Sequence, residues 1–562
     1  MSFPMFYNTR GNLQAGGGLR TSFSVNLGKT RNTIGSITRK FNYCNRDALP
    51  LKQTFECVFD VRKTDTETTP EPEPEPKPTP ENPCKLLPTT TTYQVCSPWP
   101  QFGGLDNTNS RYSPILASQK GNLNLLRTSI EFLSVATSPV VAADGTIYIG
   151  YNVVDPNNLN VNVQGVLFAF YSTGTIKWFS QLNLNDTFNG STPVIAPNGY
   201  IYFGSEKGYI YEFNTTGTLI WSQQYTITPT IPSGETLETI FYSIKTPIVI
   251  GSNNNMYFAV NCTYTYKKNT APFTVTSAAI TKLFSVNYTT QLTNWTYNPY
   301  STNYTYRPSI NYSVAIDSNN NIYFGYQLNN VYQLSYLVSV TQDGVFSWGY
   351  NCNNGKPQSV LLLGCPVLNV DNSCVYLLTT YYQSSSELYL NAVNTTTGTQ
   401  NVTNSLTIPL VSVRNLLNSI ARTNNDVLYF SVTSSYPSLT NSYQSTLYSV
   451  QNGVVLWQYN ILPQSTDEII EINNTPAIGS DGTIYFGITS ANSLTDVTVS
   501  YVYALKPNGS LKWSKPIPQN VQYSYTAIYT SPVINLDGNI IISTQITNQA
   551  DTSTKSSLYL FN

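Results

Sequence analysis

The chain of 562 residues contains no histidine, 3 methionines and only 10% charged residues. Without an imidazole there is no His general base, no His metal ligand and no His-driven nucleophile. None of its 8 cysteines is adjacent to another, and none stands in a Cys-x-x-Cys pair, which excludes thiol-linked haem attachment. No apolar run approaches the length of a membrane span. Met1-Ser2-Phe3-Pro4-Met5 opens without a basic-then-apolar leader, so a chain made outside the secretory route is expected. The charged fraction is far below the usual quarter, and solubility must come from Asn, Ser, Thr and the hydroxyls of 43 Tyr. Such a surface suits extracellular, virion-exposed or carbohydrate-facing proteins.

What the chain has instead is a repeated phrase: a small residue, Pro, an apolar pair, a Gly/Asn/Asp turn and an aromatic strand. Ser138-Pro139-Val140-Val141 leads to Ile147-Tyr148-Ile149-Gly150, Thr192-Pro193-Val194-Ile195 to Ile201-Tyr202-Phe203-Gly204, and Thr475-Pro476-Ala477-Ile478 to Ile484-Tyr485-Phe486-Gly487. Weaker copies start at Thr246-Pro247, Arg307-Pro308, Cys365-Pro366 and Ser531-Pro532, and one without the proline runs through Asn425 to Phe430. The spacing, roughly 55 residues, lies where self-similarity signals propellers or solenoids. A second hairpin follows each copy and ends in Trp; Trp178, Trp221, Trp295, Trp348, Trp457 and Trp513 close repeats in this way. Each is expected to pack between neighbouring sheets.

Two hairpins per repeat make four strands, and radial stacking buries both faces of such sheets while leaving short edges. The expected fold is therefore all-β, an eight-bladed propeller of four-stranded blades. The last repeat lacks a strand, and Gly121 to Ser129, ahead of the first repeat, is expected to supply it. Three domains are predicted: a basic N-terminal segment (1–63), a Pro/Glu-rich extended linker (64–96) and the propeller (97–562).

The repeats, together with the lead-in Trp99-Pro100-Gln101-Phe102-Gly103-Gly104 through Asn109-Ser110-Arg111-Tyr112-Ser113-Pro114, resemble the pyrroloquinoline-quinone-like repeat propellers of the quinoprotein alcohol dehydrogenase-like superfamily. The resemblance covers about residues 97 to 562 and implies the fold. The superfamily includes dehydrogenases, outer-membrane assembly scaffolds and binding propellers, so activity does not follow from it. Its dehydrogenases carry a vicinal Cys-Cys disulfide beneath the quinone, calcium and a catalytic Asp. With the disulfide motif missing, no catalytic residue, cofactor or metal is expected here. Asp317-Ser318-Asn319-Asn320-Asn321 lacks the Gly and terminal Glu of a calcium loop and reads as a hairpin turn, as does Glu206-Lys207-Gly208.

The ends differ in charge. Residues 1–63 hold ten Lys/Arg against three Asp/Glu, a net +7, within a chain whose formal net charge is −1. Arg10, Arg20, Lys29, Arg31, Arg39, Lys40 and Arg46 are the candidate attachment residues of a segment expected to order on a partner. Thr69 to Pro80 alternates proline with acidic residues, an extended spacer of roughly 35 Å. Twelve Asn-x-Ser/Thr sequons, Asn261, Asn294 and Asn303 among them, are glycosylated only in a chain that is secreted. Among the cysteines, Cys84 and Cys96 flank the end of the spacer; Cys262, Cys352, Cys365 and Cys374 fall in the propeller, several in apolar strand context that favours a buried free thiol.

Basic segment, stiff spacer and uncharged head together predict a structural display protein, a surface or capsid-associated component of a large DNA virus particle. In this reading residues 1–63 dock to other proteins of the assembly. The head faces outward at the virion surface, open to a carbohydrate or host-surface ligand, with no nucleic-acid partner for the propeller and no membrane span. The alternatives are a quinone-dependent dehydrogenase or its degenerate descendant, and a prokaryotic cell-surface adhesin.

Overall fold

The computed structural model describes Phe23–Ser24, Thr38–Arg39, Lys85, Leu87 and residues 92–562, save residues 132, 156–157, 272, 300–306, 329–333, 354–359, 382–386, 411–412, 415–418, 496, 519–524 and 548–553. Two compact units are present, Met1–Lys77 and Pro78–Asn562. In the first, Phe23–Ser24 pairs antiparallel with Thr38–Arg39.

Every regular element among the described residues of the second unit is a strand. Blade 7 is typical. Ala477–Ile478 pairs with Ile484–Asn492, that with Val497–Leu505, and that with Leu511–Pro516, all antiparallel. A further piece of its inner strand, Glu468–Glu471, pairs beyond Ala477–Ile478 on the same neighbour. The strand ladders form eight such groups, starting at Val140–Val141, Val194–Ile195, Val249–Ile250, Ala315–Ile316, Val367–Leu368, Ala421–Arg422, Ala477–Ile478 and Val533–Ile534. The count is consistent with eight blades.

In the last group Ile540–Thr547 pairs with Thr554–Phe561, whose other edge takes Leu123–Glu131 in antiparallel register, Leu123 opposite Phe561. The outer strand of blade 8 thus comes from a position preceding blade 1. One alignment differs from the sequence reading. In blade 4 the counterpart of Ser138-Pro139 is Ser313-Val314, ahead of Ala315–Ile316, and not Arg307-Pro308; Pro308–Ser309 is the separate outer piece of the inner strand.

The core lies between blades. One buried cluster joins Val140, Tyr148 and Leu167 of blade 1 to Ile201, Phe203 and Tyr211 of blade 2. Others straddle the succeeding junctions, and the last holds Ala504 of blade 7, Ile541 and Phe561 of blade 8 and Ile149 of blade 1. Because alternate strand residues point to opposite faces and both faces are covered, the second strand of each blade is apolar throughout, as in Ile-Tyr-Phe-Gly, instead of alternating. The phrase ends in Gly because the next blade approaches there: a Cβ at Gly487 would lie 2.8 Å from Ile528.

Tryptophan joins adjacent blades. The Trp178 indole N–H donates to Thr215 O, Trp295 to Gln342 O, Trp348 to Thr395 O, Trp457 to Pro507 O and Trp513 to Ser118 O. Each ring lies against a glycine of the neighbouring turn, Gly217, Gly344, Gly398, Gly509 and Gly121 respectively, where a Cβ would come within 2.7 Å of the indole. A Tyr of the same blade flanks each, Tyr148 with Trp178 and Tyr485 with Trp513, at 5.6 and 5.9 Å between centroids. At blade 8 the glycine is Gly121, so the lead-in supplies the docking turn as well as the outer strand. Trp221 departs from the pattern. It packs half-buried in the junction of blades 2 and 3, where the facing turn, Asn287 to Gln291, has no glycine.

Candidate functional site: the filled axis

The inner strand of each blade presents one unpaired edge to the propeller axis, and buried backbone N–H groups need partners. The lead-in provides them. Val141 N donates to Trp99 O, Ile195 N to Pro100 O, Ile316 N to Asn107 O, Leu368 N to Thr108 O, Arg422 N to Ser110 O and Ile478 N to Arg111 O, at 2.8 to 3.2 Å. In blade 3 the equivalent Ile250 backbone bonds the buried Tyr93 hydroxyl. Blade 8 meets the lead-in through Ser118 N and Gly538 O. Residues 93–118 therefore run round the axis and touch every blade.

Side chains of this segment reach further in. Asn109 donates through Nδ2 to Val314 O and Pro366 O, both at 3.0 Å. Arg111, 1% exposed, donates to Pro476 O at 2.9 Å, Pro532 O at 2.6 Å and Phe102 O. Its guanidinium lies 5.1 Å from the Trp99 ring centroid and 5.2 Å from that of Phe102, cation–π distances. Burial lowers its pKa to about 9, opposed by the nearby Cys365, and the group stays charged at neutral pH. Arg111 sits at φ +55°, a left-handed conformation that persists in a bulky residue only where its surroundings over-determine it. A second buried cation, Arg422, donates to Thr108 Oγ1 at 3.0 Å and lies 3.9 Å from Asp106.

Next to the lead-in a run of hydrogen bonds explains the small residue that opens the phrase in blades 1 and 5 to 8. Ser313 N donates to Cys365 Sγ, Cys365 N to Ser419 Oγ, Ser419 N to Thr475 Oγ1, Thr475 N to Ser531 Oγ and Ser531 N to Ser138 Oγ. Each blade from 4 to 8 thus bonds the next through one compact polar side chain. Cys365 serves as a thiol member of the run. Burial raises the thiols of Cys262, Cys352, Cys365 and Cys374, which are all free and buried. Cys96 is disulfide-bonded.

The remaining sequence candidates sort as follows. Of the attachment residues only Arg39 falls on described backbone, opposite Phe23; Arg10, Arg20, Lys29, Arg31, Lys40 and Arg46 lie outside the described residues, as does the proline spacer. Leu87 and Tyr93, assigned above to the linker, are buried in head clusters. Asp317 caps its own turn, accepting from Asn319 N, Asn321 N, Asn321 Nδ2 and Tyr323 OH, and Glu206 accepts from Thr187 Oγ1. Asn261 is buried, its amide bonded to Ile310 N and O, so that sequon is closed to a glycan. Asn214, Asn287, Asn394 and Asn508 cap hairpin turns. Asn303 lies outside the described residues.

No protein family matches the sequence, and no curated protein resembles it at the sequence level. Among solved structures, a europium-containing methanol dehydrogenase is similar with a TM-score of 0.52 and 11% identity, over 82% of this chain and 98% of its own. BamB from Moraxella catarrhalis follows at 0.43 and 14%, over 78% and 99%, and the Dos1 propeller at 0.38 and 10%, over 77% and 94%. The fold is a β-propeller, and at these identities the likeness concerns the fold alone.

The residues at the axis do not fit the quinone and calcium that the resemblance implies for dehydrogenases. The donors of the lead-in are spent on backbone carbonyls, and no three Asp, Glu, Cys or His side chains gather into a metal-binding group among the described residues. Arg111→Met would leave the carbonyls of Phe102, Pro476 and Pro532 without a donor. At about 1–3 kcal/mol per unsatisfied buried group, partly offset by removal of an ion buried without a paired carboxylate, the variant is expected to lose about 2–5 kcal/mol. Thermal and urea unfolding of the two proteins measures this.

Proposed function

We propose that the propeller is a non-catalytic interaction head and that residues 1–63 attach it to a larger assembly, the setting being the particle of a large DNA virus. The observation that carries the non-catalytic half is the axis, filled by residues 93–118 with Arg111 bound to backbone carbonyls. The attachment half rests on the net +7 of residues 1–63, the acidic-proline spacer and the nearly uncharged head. Basic segments gain affinity for acidic surfaces through Coulomb attraction that salt screens.

The test of the non-catalytic half is reconstitution. Purified full-length protein incubated with pyrroloquinoline quinone and calcium is expected to give no alcohol-dependent dye reduction and no calcium-dependent rise in melting temperature. Saturable turnover would establish the dehydrogenase instead.

A further inference from the structure

The blade junctions are internal repeats, so a difference between them is informative. In blade 1 the turn before the second strand carries Asp144 and Thr146, and the residue preceding the docking Trp178 is Lys177; its ammonium bonds Asp144 and Thr146, both at 2.9 Å. Blade 7 repeats the arrangement with Asp481, Thr483 and Lys512, at 3.0 Å. In blade 3 the same three positions, read from the turn before Tyr257 and the residue before Trp295, hold Asn253, Asn255 and Asn294. Three short neutral amides replace a long lysine and its carboxylate. The space that the lysine fills in blades 1 and 7 is open here, a groove of about 330 Å³ lined by Asn253, Asn255, Asn294, Trp295, Gln342 and Asp343.

Its chemistry is selective. The Asn294 amide donates to Asn255 Oδ1 at 2.9 Å and Ser285 Oγ at 3.3 Å. Asn255 also bonds the Tyr257 hydroxyl, which leaves Asn294 Oδ1 and the Gln342 and Asp343 side chains with no hydrogen-bond partner among the described residues. The lining holds no cation, and its one charge is a carboxylate, which disfavours phosphates and acidic sugars. Its single apolar surface is the half-buried Trp295, too little for a lipid or an apolar peptide. Amides offer a donor and an acceptor side by side, matching vicinal hydroxyls, and a carboxylate accepts from two hydroxyls. The volume is at the low end of small-molecule sites, about 300–1,000 Å³.

We propose that the groove between blades 3 and 4 binds a neutral carbohydrate, one or two sugar units deep, through Asn294, Gln342 and Asp343. The inference rests on the head being a binding surface and names its ligand class.

The variant that tests it is already present twice in the chain. Asn253→Asp, Asn255→Thr and Asn294→Lys together install the closed arrangement of blades 1 and 7, and the protein is expected to fold with an unchanged or higher melting temperature. Full-length protein made in a bacterial cytoplasm, with Asn294 unglycosylated, is applied to an array of neutral glycans in EDTA; the best hit is then titrated by calorimetry. The wild type should bind saturably. The triple variant should lose binding by at least about tenfold, and Asp343→Asn by about threefold to tenfold, the scale of one or two hydrogen bonds. Absence of any neutral-glycan hit, equal binding by the folded triple variant, or binding that appears only with calcium would each overturn the proposal. None of these outcomes bears on particle attachment, which deletion of residues 1–63 tests separately.

Discussion

Between about pH 5 and pH 9 the melting temperature of the head is expected to stay nearly constant, and above about pH 10 to collapse within one to two units. The flat region follows from composition: no histidine is present to titrate there. The alkaline loss follows from burial. Tyr148, Tyr202, Tyr211, Tyr323 and Tyr485 are almost fully buried, and desolvation raises each phenol well above its ordinary value, with added repulsion from Asp144, Glu212, Asp186, Asp317 and Asp481 respectively. Tyr429 is raised to about 12 by burial.

A group whose folded pKa is raised gives stability that is complete below its unfolded pKa and is lost as pH climbs toward the folded value. Loss should start near pH 9 with the four buried thiols, raised to about 11 or 12, and steepen near 10 with the phenols. Each group contributes about 1.4 kcal/mol per pH unit in that window, so a handful removes the roughly 5–15 kcal/mol that holds a domain together. On the acid side, desolvation of Asp144 and Asp481 is outweighed by hydrogen bonds from lysine and threonine, so a smaller loss is expected only below about pH 4. Scanning calorimetry from pH 3 to 11.5 checks the profile; a melting temperature that falls steeply between pH 5 and 8, or holds through pH 11, contradicts it.

The repeats were legible because their signal is local. Asp144-Gly145 and Asn508-Gly509 specify hairpins from adjacent residues, and the tryptophans at repeat ends announced inter-blade packing that five of the six make through an indole hydrogen bond. The lead-in was legible only in part. Leu123–Glu131 could be recognised as a strand missing elsewhere, but the filling of the axis depends on pairs such as Arg111 with Pro532, 421 positions apart, and no periodicity encodes them. Proline was a misleading marker in blade 4: the position that matters is the one whose backbone N–H donates to the compact side chain of the next blade, and Ser313 occupies it without a following proline. The groove at Asn294 was hidden for a related reason. Its Asn residues read as sequon and turn until the equivalent lysines of blades 1 and 7 showed what belongs there.

If residues 1–63 attach the chain to a particle as proposed, deleting them is expected to abolish incorporation while leaving a soluble, folded head, whereas deleting residues 1–131 is expected to destroy the head itself. The difference lies in what each cut removes. The first ends well short of Leu87 and Tyr93, described residues buried in the head. The second takes the partners of inner-strand N–H groups in seven blades, the Gly121 turn that receives Trp513 and the outer strand of blade 8. Each orphaned buried N–H costs about 1–3 kcal/mol, so the loss exceeds any domain's net stability. If the basic segment docks electrostatically, incorporation of the full chain should also weaken as salt shortens the screening length from about 10 Å at 0.1 M to about 3 Å at 1 M. Circular dichroism and particle co-purification distinguish the outcomes. Normal incorporation without residues 1–63 would place attachment in the propeller, and misfolding of that shorter deletion would make the N-terminal segment part of the head's core.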